Sequence, residues 1–227
     1  MLLMNENLFT IVQFLKELSE NNSKVWMDLN RVRYLACKEN WIDVIDDLIH
    51  YVHSIDPSIG ILDPKDTLFR INRDIRFSHN KQPYKTQFSA VIARGGKKSP
   101  YACYYIQLNH EGQIFVAGGI WEPQPEHLTN VRNYIETGTN STKLKKILKD
   151  EELKSIFGNI NQEYQSKRLP RGYEKTKNPD FMLFKSFIIS SNYELSNKID
   201  FGQDTKNKFK VIKPFIEFLN KGLVHIK

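Results

Sequence analysis

The chain has only two cysteines, Cys37 and Cys103, far apart and without a Cys-x-x-Cys spacing, which excludes a disulfide framework and a cysteine zinc site. Both read as reduced, buried thiols. No apolar run approaches the roughly 20 residues that span a bilayer, and the start, Met1-Leu2-Leu3-Met4-Asn5-Glu6, is too short and too soon polar for a signal peptide. The expected compartment is therefore the cytoplasm, with no membrane partner. Catalytic signatures are equally sparse. There is no G-x-x-x-x-G-K-[ST] and no G-x-G-x-x-G to cradle a phosphate, no H-E-x-x-H to hold zinc and no G-x-S-x-G nucleophile elbow. His50 and His53 stand three apart on a predicted helix, but Asp46 and Asp47 read as the continuation of a polar surface, so no metal is expected there. Repeats, low-complexity segments and inter-domain linkers are missing as well. A chain of 227 residues can bury one sizeable core, and residues 1–227 are expected to form one domain.

What is present is positive charge in one place. The chain carries 33 basic and 26 acidic residues, a net +7. Between Lys65 and Lys98 stand nine basic residues, Lys65, Arg70, Arg73, Arg76, Lys81, Lys85, Arg94, Lys97 and Lys98, against two acids, Asp66 and Asp74, so this segment accounts for the whole excess. A general nucleic-acid coat would spread its lysines, whereas a local concentration fits one site or edge for an anion.

Periodicity gives the fold class. Leu8, Ile11, Val12, Leu15 and Leu18 share one helical face, and Asn22 or Ser23 can cap the next helix. The following pattern runs from Lys24 to His53, as one helix or as two broken near Lys38 to Asn40. Thr67–Asn72, Gln87–Arg94, Tyr101–Asn109 and Gly112–Gly119 read as strands of an antiparallel meander, with Asn109 to Gly112 as a hairpin turn. Helices are expected around Leu128 to Ile135, from Leu144 to Ile156 with Gly158 as the stop, and after Asn178-Pro179. Phe187 to Ser190 suits an edge strand. A last helix, capped near Thr205 and stopped at Gly222, buries Phe209, Ile212, Phe215, Ile216 and Leu219. The expectation is an α+β fold: an antiparallel sheet of four to six strands packed with N-terminal and C-terminal helices.

The stretch from Arg70 to Lys85 reads R-I-N-R-D-I-R-F-S-H-N-K-Q-P-Y-K. It resembles a bacterial family of domains of unknown function, number 2461, whose hallmark is RxxRDxRFxxxKxPYK. Arg70, Arg73, Asp74, Arg76, Phe77, Lys81, Pro83, Tyr84 and Lys85 fill all nine fixed positions. Asn22 with Trp26, Gly118-Gly119 before Trp121, and Pro170-x-Gly172-Tyr173 are similar to its weaker landmarks, while Met27 stands where the pattern leads one to expect an aromatic. The resemblance implies kinship over the whole chain and no particular reaction or cofactor.

The residues themselves suggest an anion site. Arginine offers a planar fork of donors to phosphate or carboxylate oxygens, and lysine adds a mobile charge. Asp74 either stiffens the loop by pairing with Arg73 or Arg76, or orients one arginine while the others await a ligand. Five cations facing one acid favour the ligand. Asp74 is a poor general base, because neighbouring positive charge lowers its pKa. His79 reads as a solvated bystander. Tyr84 either packs beneath the loop or meets the ligand, and Gly118 and Gly119 either admit a ligand's close approach or mark a tight exit from the sheet. The expected ligand-binding set is thus Arg70, Arg73, Asp74, Arg76, Lys81, Tyr84 and Lys85, with Arg168 and Arg171 as weaker candidates for a second wall. Three partners fit: an anionic small molecule, with any catalysis resting on stabilisation of developing negative charge; a nucleic acid, with Lys97 and Lys98 extending the site and Phe77 or Tyr84 stacking on bases; or an acidic protein.

Overall fold

The computed structural model of the chain describes residues 2–76 and 79–224, with side chains from Asn5 onward. Among the described residues nine α-helices accompany a four-stranded antiparallel sheet, in the order α1 (Leu2–Glu20), α2 (Lys24–Leu29), α3 (Arg31–Ile55), α4 (Pro64–Thr67), β1 (Gln87–Ala93), β2 (Cys103–Asn109), β3 (Gln113–Ile120), α5 (Pro125–Glu136), α6 (Asn140–Leu148), α7 (Glu151–Phe157), α8 (Pro179–Leu183), β4 (Phe187–Glu194) and α9 (Phe201–Leu223). The strands lie in sequence order, β1-β2-β3-β4, so the α+β class and the meander hold and β4 is an edge. No helix among the described residues is long and apolar enough to cross a membrane.

The chain divides into two compact units. The first comprises Met1–Ile92, Tyr105–Val116 and Asn192–Asn207. In it α1 buries Leu8, Ile11, Phe14, Leu15 and Leu18, and α3 buries Trp41, Ile45, Leu48, Ile49 and Val52. An aromatic chain continues this core: Phe14 lies 5.6 Å from Trp26 and 6.1 Å from Tyr34, and Phe88 of β1 lies 6.3 Å from both Tyr34 and Trp41. Met27 is a core residue, 1% exposed. The second unit comprises Ala93–Tyr104, Ala117–Ser191 and Lys208–Lys227. Its core joins Val131 and Ile135 of α5 and Phe187 and Ile189 of β4 to Phe209, Ile212, Phe215, Ile216 and Leu219 of α9.

Several boundaries differ from the sequence expectation, each for a local reason. The break after α2 falls at Asn30, not near Lys38 to Asn40, because the Asn30 amide donates to the Trp26 carbonyl at 2.9 Å and competes with the helix's own bonding. Residues 67–72 do not form a strand. Thr67 ends α4, and beyond it only Leu68 and Asn72 make isolated bridges, to Ala90 and Tyr84. The helix expected from Leu144 to Ile156 is two, because Asp150 accepts from the Leu153 N–H at 3.0 Å and starts α7 afresh. Thr205 is not a cap: it is fully buried within α9, hydrogen-bonded to the Tyr193 hydroxyl at 2.8 Å, and Asp200 takes the Gln203 N–H at the helix start. Gly222 lies inside α9 rather than after it, where a Cβ would stand 3.2 Å from the Val131 Cα. Cys37 is buried as expected, but Cys103 is only half-buried, and both thiols are free.

Candidate anion-binding site

The basic stretch lies wholly in the first unit, and backbone bonds close it at its base. After α4, whose Asp63 cap accepts from the Lys65 N–H at 2.8 Å, the Phe69 N–H donates to Ser89 of β1 at 3.0 Å. The chain then leaves the sheet and pairs with its own return: Arg73 N–H donates to the Pro83 carbonyl at 2.9 Å, and Lys85 N–H to the Ile71 carbonyl at 2.8 Å. Residues 74–76 and 79–82 lie beyond this pairing. A side chain 62 positions away fixes the clasp. Asn22, between α1 and α2, accepts from the Tyr84 N–H at 3.0 Å and donates to the Tyr84 carbonyl at 3.1 Å. The α2 cap falls to Ser23, which accepts from the Trp26 N–H.

This clasp brings Arg73 and Lys85 to opposite ends of one short bridge. Lys85 is half-buried, and its ammonium is held below the usual lysine pKa first by burial and then by the charges of Arg70 and Arg73. Arg70 and Arg73 thus both act on Lys85. Among the described residues none of the three forms an ion pair within 4.0 Å. Arg73 spends one amino group on the Tyr84 carbonyl at 3.4 Å, and its Nε is buried without a partner among the described residues. The Lys85 Nζ lies 5.7 Å from the ring centroid of Phe69.

The remaining members of the stretch have other attachments. Asp74 takes the Arg76 fork, with Nε at 3.0 Å on Oδ1 and Nη2 at 2.7 Å on Oδ2, and also accepts the Arg76 backbone N–H at 3.2 Å. These bonds, with a smaller contribution from Arg70, hold the Asp74 carboxyl below the usual range, so it is no base near neutrality. Arg76 lies outward, its side chain 76% exposed. Lys81 is exposed and donates to the Ile75 carbonyl at 2.9 Å, and His79 is exposed too. Tyr84 is 8% exposed, so its ring packs beneath the loop while its backbone is gripped by Asn22. Phe77 lies outside the described residues.

The first unit also presents a wall of rings beside Lys85. Phe69 lies 6.2 Å from Tyr105, which lies 5.8 Å from Phe115. Below them the Tyr105 hydroxyl and the Gln87 amide both donate to Gln107 Oε1 at 2.9 Å. Sequence reasoning found these strands and missed the wall, although the alternation of Tyr105 and Gln107 with Tyr104, Ile106 and Leu108 in β2 was its signal. It likewise noted Asn22 only as a cap or landmark.

Other candidates resolve into structure. A Cβ on Gly118 would stand 2.5 Å from Ile212 Cδ1, and Gly119, at φ +130°, would press a Cβ into the Phe187 carbonyl, so this pair serves close packing of β3 against α9 and β4. Arg168, Arg171, Lys97 and Lys98 are exposed and belong to the second unit. There Tyr173 of the Pro170-x-Gly172-Tyr173 landmark donates its hydroxyl to Asn133 at 2.8 Å and lies 5.9 Å from the guanidinium of Arg132. Arg132 is only 7% exposed; burial lowers its pKa, and it donates to the Phe184 carbonyl at 2.8 Å. The His50 Nδ1 sits 2.9 Å from the Asp46 carbonyl of its own helix, and among the described residues no group of three His, Cys, Asp or Glu side chains is placed to hold a metal.

The family described as conserved hypothetical protein (DUF2461) matches residues 10–218, and the chain belongs to it. The matched span contains the entire clasp, from Asn22 to Lys85. No curated protein and no solved structure matches the chain.

Proposed function

We propose that Arg70, Arg73 and Lys85 bind the phosphate or carboxylate group of a small molecule, with Arg76 and Lys81 on the outer loop and Tyr84 as the backbone anchor. One observation carries this reading: the Asn22 clasp holds Arg73 and the half-buried Lys85 on either side of Tyr84, while the stretch's acid, Asp74, is committed to Arg76. Like charges gathered without a carboxylate raise the free energy of the empty protein, and an anion placed among them relieves both the repulsion and the desolvation. The same donors would stabilise negative charge developing on a bound substrate.

The test is titration with inorganic phosphate and pyrophosphate, followed by calorimetry, on the native chain and on Lys85→Met and Arg73→Ala. Each substitution is expected to weaken binding about 10-fold or more while lowering unfolding stability by less than about 1 kcal/mol, since a cation crowded by its own kind contributes little to folding. Unchanged phosphate binding with a large loss of stability would mean that the cluster is structural. Binding of nucleic acid with a steep salt slope, or nuclease-resistant capture of an acidic protein, would assign the same face to one of the other two partner classes.

A further inference from the structure

An anion uses one end of the site and leaves the wall of rings unexplained. Lys85 Nζ lies 5.7 Å from the Phe69 centroid, and from there the rings of Tyr105 and Phe115 follow at 6.2 Å and 5.8 Å. Phe69 stands at the base of the loop, not in a strand, and is 40% exposed although it touches Tyr105. Along β2 the buried side chains are Tyr104, Ile106 and Leu108, whereas Tyr105 and Gln107 keep part of their surface. The wall also has a polar edge. The oxygen of Gln107 is already claimed by Tyr105 and Gln87, so its remaining capacity is the two donors of its amide nitrogen.

Resting on the anion-binding reading above, we infer that the ligand's other end is a planar, hydrogen-bonding ring that packs against Phe69, Tyr105 and Phe115, whose planes turn by 59° and then 72° from one ring to the next, as the base of a nucleoside monophosphate would. Aromatic faces accept any flat π-system, and the amides of Gln87 and Gln107 suit the polar rim of a heterocycle, which an alkyl carboxylate would leave unused. The charge distribution favours a small molecule over a strand. Arg73 and Lys85 flank one short bridge, whereas a strand needs positive charge tracking along its backbone.

The experiment compares adenosine monophosphate, uridine monophosphate, ribose 5-phosphate and inorganic phosphate by calorimetry at fixed ionic strength. The native chain should bind at least one monophosphate about 10-fold or more tighter than ribose 5-phosphate. Tyr105→Ser should erase that margin, so that the monophosphates and ribose 5-phosphate bind alike, while Lys85→Met should weaken every phosphate. If Tyr105→Ser does not fold, Phe115→Leu and NMR contacts between the base protons and the Phe69 and Tyr105 rings of the native chain supply the same readout. Equal affinity for the monophosphates and ribose 5-phosphate overturns the ring inference and leaves the anion site standing. No binding of any phosphate overturns both, and a single-stranded oligonucleotide held far tighter than any monophosphate overturns the small-ligand assignment.

Discussion

Replacing Asn22 with alanine isolates the contact on which the geometry of the basic loop depends. The Asn22 amide holds both backbone groups of Tyr84, at 3.0 and 3.1 Å, and no hydrogen-bonded element of the sheet does so in its place. On truncation the Tyr84 carbonyl keeps a weak donor in Arg73 at 3.4 Å, but the Tyr84 N–H, in a residue 8% exposed, is left without an acceptor. A lost neutral hydrogen bond costs about 1 kcal/mol, and an orphaned buried donor adds about 1–3 kcal/mol. The expected loss is therefore about 2–4 kcal/mol, which for a chain of this size lowers the melting temperature by about 5–15 °C. Urea unfolding followed by tryptophan fluorescence reads the stability, and phosphate titration reads the site. Binding should fall along with stability, because Arg73 and Lys85 are placed by the backbone on either side of Tyr84. A variant within about 0.5 kcal/mol of the native chain that still binds phosphate normally would refute the idea that this clasp organises the loop.

Lys85 should titrate below the ordinary lysine value, and its amine should acylate faster at pH 8–9 than exposed lysines such as Lys97, with phosphate slowing the reaction; equal reactivity would count against crowding by Arg70 and Arg73. The sign for stability follows. The unfolded chain binds the Lys85 proton more readily than the folded one, so this group's contribution rises as pH climbs from the lowered folded pKa toward the ordinary value of about 10.4 and is flat beyond it. Burial pushes Cys37 up to about 11 and Cys103 up to about 12, so at pH 8 no more than about one thiol in a thousand is ionised, and alkylation should be slow until the chain unfolds. Gly119→Ala should destabilise by more than about 3 kcal/mol, since it meets both a left-handed φ and the Phe187 backbone, whereas Gly118→Ala meets only side-chain atoms, of Ile212 and Ile216, and should cost about 1–3 kcal/mol; unfolding curves that reverse this order would contradict the packing account.

What the sequence determined by itself was local. Leu8, Ile11, Leu15 and Leu18 announce α1, the turn from Asn109 to Gly112 announces the hairpin, and the concentration of charge marks the loop after α4, because periodicity, turn chemistry and charge are written in neighbouring residues. Competition among local bonds already exceeded that reading: Asn30 broke the helix earlier than the apolar pattern suggests, and Asp150 split another, since each short polar side chain offers the backbone a rival partner. Only the tertiary structure decided which cations act together. Proximity in the sequence gave Arg70, Arg73, Arg76, Lys81 and Lys85 the same standing, yet Asp74 claims Arg76, the Ile75 carbonyl takes Lys81, and the Asn22 clasp places Arg73 and Lys85 across one bridge from each other. The same holds for Phe69, Tyr105 and Phe115, which meet only once the loop base is paired to β1 and β2 lies beside it. Contacts between residues tens of positions apart leave no periodic trace in a single chain, and they become fixed only when burial selects one register of strands over its alternatives.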